Sequence, residues 1–372
     1  MAQTYEIPKG VEALADYEEL ARARMTPEGW AYIAGGAADE LTMRRNREAF
    51  DRIELVGRAL GDFSGGGTTL ELFGDHFDHP IFVAPAARHK LACPDGEIAT
   101  VVGAGGAKSG MVVSTESDFT LEEIAAAAKT PLWFQLYIQH DRGFTRELVG
   151  RAERAGYKAL VLTVDAPVFG ARNREQRAGY VSPKLSEFAN LRGLHTTHFA
   201  HAELGESLMF KGYMDVMPRW EDVAWLKSFT RLPLILKGIM APEDAERAIA
   251  EGADGIVVSN HGGRVLDTLP PSIDVLPAIA QQVAGRVPLL TDGGIRRGTD
   301  VLKALALGAS AVLLGRPYLH ALAVAGPAGV AHVLHVLRCE FEMAMVLTGC
   351  RTLADIGPQV IWRGPPQYSV SR

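Results

Sequence analysis

Short, strongly apolar runs rich in β-branched residues recur between residues 81 and 316 and alternate with stretches of helical periodicity. The runs are IFVAPA (81–86), MVVS (111–114), LWFQLY (132–137), ALVLTVD (159–165), LPLILKG (232–238), GIVVSN (255–260), PLLTDGG (288–294) and AVLLGR (311–316). None alternates strictly between apolar and polar positions, so each reads as a parallel strand buried on both faces. The intervening LEEIAAAAK, TRELVGRAERAG, PEDAERAIAEG and GTDVLKALALG read as helices. Eight such β–α units predict a (β/α)8 barrel over about residues 81–350, in preference to a doubly wound sheet.

The flanks differ. Residues 11–55 read as helical, with Val11, Leu14 and Leu20 among charged positions and Pro27 suited to a helix first turn. The glycines and alternating TTLELF of SGGGTTLELFGDHFDHP predict a hairpin before the barrel, which makes residues 1–80 an N-terminal extension. One strand-to-strand spacing is irregular. Residues 166–217, polar and punctuated by Gly and Pro, follow the fourth strand, where insertions sit at the active-site face and often act as lids. The reading is one domain over residues 1–372.

Composition narrows the function classes. With 372 residues and 47% hydrophobic content the chain has ample material for a large core, and a net charge of −6 gives no basic field for nucleic acid. No apolar run approaches the roughly 20 residues that span a bilayer. The start lacks both a basic n-region and an apolar h-region, so a cytoplasmic protein is expected. Cys93, Cys339 and Cys350 are widely spaced without a C-x-x-C, which argues against a disulfide framework or structural zinc.

Barrel chemistry sits at the C-terminal ends of the strands. Nearly every run here ends in polar groups: Ser114, Gln135 with Tyr137, Thr163 with Asp165, Lys237, Ser259 with His261, Asp292 and Arg316. Any one of them alone reads equally well as a cap of the next helix. Together they imply a polar ligand, because unpartnered buried polar groups are costly. In VVSNHGGRVLD (257–267) an imidazole and a guanidinium, His261 and Arg264, stand three residues apart beside two glycines, a pairing suited to a negatively charged substrate. TDGGIRRG (291–298) and LLGRP (313–317) close the last two strands, where barrels commonly bind phosphate, and Arg296 and Arg316 add charge. Other motifs carry less. GAGGAKSG (103–110) fits neither the dinucleotide nor the P-loop template. His195, His198 and His201 have metal-like spacing without nearby carboxylates or cysteines, so no metal is expected. His332 and His335 read as surface or packing residues of a C-terminal helix. No G-x-S-x-G occurs.

The chain resembles the FMN-dependent α-hydroxy acid oxidases and dehydrogenases, a family that includes glycolate oxidase and lactate oxidase. The matching stretches are AYIAGGAADE (31–40), WFQLYIQHDR (133–142), LTVDAPVFGARNRE (162–175), LPLILKGI (232–239), VVSNHGGRVLD (257–267), TDGGIRRGTDVLKALALGASAV (291–312) and LGRP (314–317). The resemblance implies a (β/α)8 barrel, bound FMN, and oxidation of an L-2-hydroxy acid to a 2-oxo acid with O2 as acceptor and H2O2 as product. It implies His261 as catalytic base with Asp165 behind its imidazole, Arg264 and Arg172 on the substrate carboxylate, and Tyr32 and Tyr137 against the carboxylate or hydroxyl. Lys237 is implied near the flavin N1 region. Pro85, Ala86, Ala87, Ser114, Gln135, Thr163, Ser259, Asp292, Gly294, Arg296, Gly315 and Arg316 are implied around FMN. A homotetramer is implied too. A dehydrogenase with another acceptor, and a decarboxylating monooxygenase, stay open as alternatives. A flavin isomerase or a non-catalytic flavin barrel fits the base and clamp residues poorly.

The sequence departs from the family around the expected substrate side chain. Arg88 and His89 replace residues that are usually uncharged, and Ala86 replaces a common threonine. Glu116 stands where the family usually carries a bulky aromatic or aliphatic residue. Two readings follow: an internal Arg88–Glu116 ion pair or a solvated Glu at the mouth, or a Glu116 that reads a polar or cationic group on the substrate.

Overall fold

The computed structural model describes residues 5–194, 207, 209–210 and 217–364. An antiparallel hairpin, β1 (Leu70–Leu72) and β2 (Asp75–Phe77), precedes eight barrel strands. These are β3 (Ile81–Val83), β4 (Met111–Ser114), β5 (Leu132–Leu136), β6 (Ala159–Thr163), β7 (Leu234–Ile239), β8 (Gly255–Val258), β9 (Leu289–Asp292) and β10 (Ala311–Leu314). Each pairs in parallel with its neighbour in sequence, and β10 pairs back onto β3 to close the barrel. All eight apolar runs are therefore strands of one closed (β/α)8 barrel.

The period of two along a strand explains how the barrel builds a polar mouth on an apolar plug. Outward-facing residues such as Val83, Val113, Phe134, Leu162 and Leu236 pack under the helices. Inward-facing Phe82, Val112, Trp133, Val161, Ile235, Val257, Leu290 and Leu313 fill the barrel in one cluster with Leu72 and Phe77 of the hairpin. Phe82 stacks on Trp133 at 4.8 Å, and Phe77 meets Phe82 at 4.6 Å, so the hairpin stoppers the bottom. Two residues further up the same inward faces stand Ala84, Ser114, Gln135, Thr163, Lys237, Ser259, Asp292 and Gly315. The polar strand ends converge because they are the next inward layer.

The N-terminal extension supplies three helices, α1 (Asp16–Arg24), α2 (Pro27–Ala34) and α3 (Leu41–Asp51). Thr26 caps α2 by accepting the Gly29 N–H at 3.1 Å, with Pro27 in the first turn. The last residue of VVSNHGGRVLD, Asp267, accepts N–H groups of Asp39, Leu41 and Thr42 at 3.1, 3.2 and 2.8 Å, which fastens the start of α3 to the loop after β8. Gly294 makes the approach of α3 possible. Its φ is +88°, and a Cβ there would stand 2.1 Å from the Asn46 carbonyl oxygen.

The helix Arg316–Leu347 corrects one expectation, since by length and apolarity it matches a membrane span. It is two helices joined across non-helical Ala325 and Gly326, and 61% of its apolar window is buried inside the protein. Tyr17 of α1 bonds His332 on it at 2.8 Å, a packing role as expected. Gly103 of GAGGAKSG faces its Pro327 carbonyl, where a Cβ would sit 2.5 Å away, so that glycine serves helix packing. Of the expected lid, residues 166–194 are described and include the short helix Asn173–Arg177; His195, His198 and His201 lie outside the described residues.

Candidate active site

A cavity of about 370 Å³ opens at the C-terminal ends of the strands, where the polar layer lies. Tyr32, Pro85, Ala86, Ala87, Ser114, Glu116, Gln135, Tyr137, Thr163, Arg172, Lys237, His261, Arg264, Asp292, Gly294, Arg296, Gly315 and Arg316 all line it. One cavity thus gathers residues that the sequence scatters over almost 300 positions.

His261 is built as a neutral base. It sits in the left-handed region at φ 57°, an uncommon place for a non-glycine residue, with its N–H donating to Ser259 Oγ at 3.0 Å. Its Nδ1 is 2.9 Å from Asp165 Oδ1. Burial, then the charges of Lys237 and Arg264, lower the imidazole pKa below its ordinary 6.5 despite the raising effect of Asp165. A neutral ring donating Nδ1–H to Asp165 leaves Nε2 as a proton acceptor. Burial raises the Asp165 pKa, but His261 and Lys237 outweigh it and hold the carboxylate below its usual range. Gly238 makes room: at φ +112° it places its backbone where a Cβ would lie 2.5 Å from Asp165 Cβ.

Two arginines face the same space. Arg264 donates through Nη1 to the carbonyls of Tyr32 and Gly35 at 2.7 and 2.8 Å, groups that the end of α2 leaves unpaired. Its Nη2 reaches Glu175 Oε1 at 3.4 Å, and Arg172 Nη1 reaches the same oxygen at 3.3 Å. Glu175, buried and bridging both guanidinium groups, was not anticipated from sequence. Neither was Tyr180, whose ring packs tilted against Tyr32 with centroids 4.8 Å apart. The E in GARNRE, one helical turn beyond Arg172, was the available signal.

Lys237 stands between Asp292, 3.4 Å from Nζ, and Ser259 Oγ at 3.0 Å. Burial lowers its pKa, but Asp292 and Asp165 raise it by more, so the ammonium stays charged. Ser114, Gln135 and Thr163 form a chain of hydrogen bonds along the opposite wall, at 3.2 and 3.1 Å. Asp292 Oδ1 and Arg316 Nε are buried without a partner. Burial, with Arg264 and Arg296 nearby, pushes Arg316 down to about 9, a cost that an anion bound beside it would relieve. Arg296 and Arg316 at one end, the amide and hydroxyls of the strand ends in the middle and Lys237 at the edge fit a flavin mononucleotide: phosphate, polar ring edge and a site for negative charge.

Three candidate residues stand behind the cavity lining: Asp165, paired with His261, and Ser259 and Arg88. Ser259 does not line the cavity among the described residues; its hydroxyl accepts from both Lys237 and the His261 backbone, so it positions them from beneath. Arg88 is likewise absent from the lining and does not pair with Glu116. It pairs with Asp118 at 3.3 Å and donates to Tyr180 Oη at 3.4 Å, because Asp118 stands closer on the same turn. Arg88 is therefore committed to Asp118 and Tyr180, and the internal Arg88–Glu116 ion pair does not form.

Known proteins share this sequence pattern and fold. The family described as FMN-dependent dehydrogenase matches residues 21–363. The chain is 47% identical to L-lactate oxidase of Nostoc sp. over 350 residues, which covers 92% of this chain and 96% of that protein. It is 41% identical to glycolate oxidase of Spinacia oleracea, covering 96% and 98%. A solved structure of mandelate oxidase with benzoyl-formic acid superposes with a TM-score of 0.84 at 40% identity, covering 94% and 98%.

Proposed function

The chain belongs to the FMN-dependent dehydrogenase family and is an FMN-dependent 2-hydroxy acid oxidase; from that premise we propose that it takes an L-2-hydroxy acid, with His261 as base and Arg264 and Arg172 as carboxylate clamp. The observation that carries the reading is His261, backed by Asp165, facing the same cavity as both arginines. FMN, when bound, would supply the acceptor for the substrate's α-hydrogen with its two electrons, to be regenerated by O2 with release of H2O2. Arg296, Arg316, Asp292, Gly294, Gly315, Gln135, Ser114 and Thr163 would hold it, together with Pro85, Ala86 and Ala87 of the same cavity wall. Ser259 would support it indirectly through Lys237.

The protein's own part is binding, orientation and proton transfer. A guanidinium fork matches a carboxylate bidentately, so Arg264 and Arg172 fix one end of the substrate. Tyr137 and Tyr32, whose phenols burial keeps protonated, offer O–H groups beside it. The substrate hydroxyl donates to His261 Nε2 and gives up its proton there. Asp165 then stabilises the imidazolium. Lys237 presents a fixed positive charge where negative charge develops.

Anaerobic addition of L-lactate, glycolate or (S)-mandelate to the purified flavoprotein is expected to bleach the flavin with at least one of them. Readmitted air should restore colour and yield peroxide. Absence of bleaching with every L-2-hydroxy acid tested would overturn the reading; bleaching without recolouring would assign another acceptor. Supporting a homotetramer, Leu60, Met343, Leu347 and Trp362 expose apolar side chains around segment 54–60, whose backbone bonds Leu347 and Trp362. Light scattering on the eluting peak should give four times the chain mass; a monomeric mass refutes it.

A further inference from the structure

Among the described residues, Glu116 is the one cavity-lining carboxylate with neither a hydrogen bond nor an ion pair on its oxygens. Glu175 and Asp292, the others, are both engaged. Its backbone is held firmly. The Glu116 N–H donates to Ser114 Oγ at 3.1 Å, and the preceding Thr115 hydroxyl donates to the Gln135 carbonyl at 2.6 Å. The carboxylate is thus presented to the cavity by a fixed turn after β4.

Five ionisable side chains face it: Arg88 from the turn after β3, Arg172 and Tyr180 from the segment after β6, Tyr137 from the end of β5, and Tyr32 from α2. Arg88 is committed to Asp118, and Arg172 to Glu175. In this quarter three guanidinium groups (Arg88, Arg172, Arg264) stand against three carboxylates (Asp118, Glu175, Glu116). A substrate held by the clamp adds a fourth carboxylate and leaves one negative charge in excess. Either Glu116 takes a proton, or the substrate brings a cation.

We propose that the preferred substrate is an L-2-hydroxy acid whose side chain ends in an ammonium or guanidinium group, with Glu116 as its counter-ion. This rests on the oxidase reading above and on its placement of the substrate carboxylate. Tyr180 and Phe188 line the cavity alongside and give an apolar wall for a methylene stem. Burial raises the Glu116 carboxyl to about 7 against the lowering effect of Arg172 and Arg88. An uncharged side chain is therefore served by protonated Glu116 below that pH and leaves a buried carboxylate without a partner above it. A cationic one gains as the carboxylate ionises.

Isosteric pairs test this on the holoenzyme. Oxidation of 4-amino-2-hydroxybutanoate is compared with 2-hydroxypentanoate. Binding of the inert 4-aminobutanoate is compared with pentanoate by calorimetry. The ammonium stays charged over pH 6–8. The cationic member of each pair should win by about tenfold or more at pH 8, the preference growing from pH 6 to 8. In Glu116→Gln the preference should vanish and lose its pH dependence. A wild-type preference for the uncharged members at pH 8, or one that Glu116→Gln leaves intact, overturns the proposal. Flavin bleaching by L-lactate in both proteins separates the failures. If lactate bleaches while the pairs are not discriminated, only the side-chain assignment falls; if no hydroxy acid bleaches, the oxidase reading falls with it.

Discussion

Replacing His261 with Gln is expected to cut the rate of flavin bleaching by about 10²–10⁴, the usual contribution of a positioned general base. The substitution keeps a donor for Asp165 but puts no group of suitable basicity where Nε2 stands. Asp165→Asn separates the two halves of the device. Asp165 raises the His261 pKa, so its removal leaves burial, Lys237 and Arg264 unopposed. The acid limb of kcat/KM, where protonation of His261 removes the base, lies below pH 6.5 in the parent and should move to still lower pH in the variant. The plateau should drop as well. A neutral asparagine does not stabilise the imidazolium, and its amide N–H competes for Nδ1 and so favours the wrong tautomer. A His261→Gln protein that keeps more than about a tenth of the parent rate would remove His261 from the role.

Much of this site was legible because barrel geometry turns sequence order into spatial order. Eight apolar runs without alternation required a sheet buried on both faces, and their polar last residues then had only one mouth to meet at. The period of two that puts Trp133 in the plug puts Gln135 in the mouth. Partner choice was not legible. Arg88 and Glu116 are 28 positions apart and opposite in charge, yet Arg88 reaches Asp118, two residues further on, because the turn after β4 aims alternate side chains in different directions. Glu175 was hidden for a similar reason. Its value comes from Arg264, 89 residues away, as much as from Arg172 on its own turn. Asp267, which closes VVSNHGGRVLD, serves the fold by accepting N–H groups at the start of α3. The helix Arg316–Leu347 defeated a reading by runs. Its apolar faces cover both the barrel side and the α1 side, so its total apolarity is high without any long uninterrupted stretch.

Arg264→Met is expected to lower kcat/KM by about 10²–10³, with most of the loss in KM. The guanidinium is one of two groups able to fork onto the substrate carboxylate, and removing one partner of a buried charged pair costs about 2–5 kcal/mol, each 1.4 kcal/mol being tenfold. Binding that is equal in ground and transition states appears in KM, whereas a contact used only in the transition state would appear in kcat. The loss has a structural component that must be separated. Nη1 also serves the Tyr32 and Gly35 carbonyls, and Nη2 shares Glu175 with Arg172. Methionine therefore strands the Tyr32 carbonyl, while the Gly35 carbonyl keeps Arg316 Nη2 at 2.7 Å, and it leaves Glu175 drawn wholly to Arg172, which weakens the second half of the clamp too. Arg264→Lys makes the separation. An ammonium retains the charge opposite Glu175 but lacks the planar fork that satisfies two carbonyls and a carboxylate together. The expected order in Tm is parent, Arg264→Lys, Arg264→Met, with KM rising in the same order but more steeply, since the substrate needs the fork and the fold needs mainly the donors. A Tm that falls while KM for L-lactate stays at the parent value would make Arg264 a strut for α2 and leave carboxylate recognition to Arg172 alone.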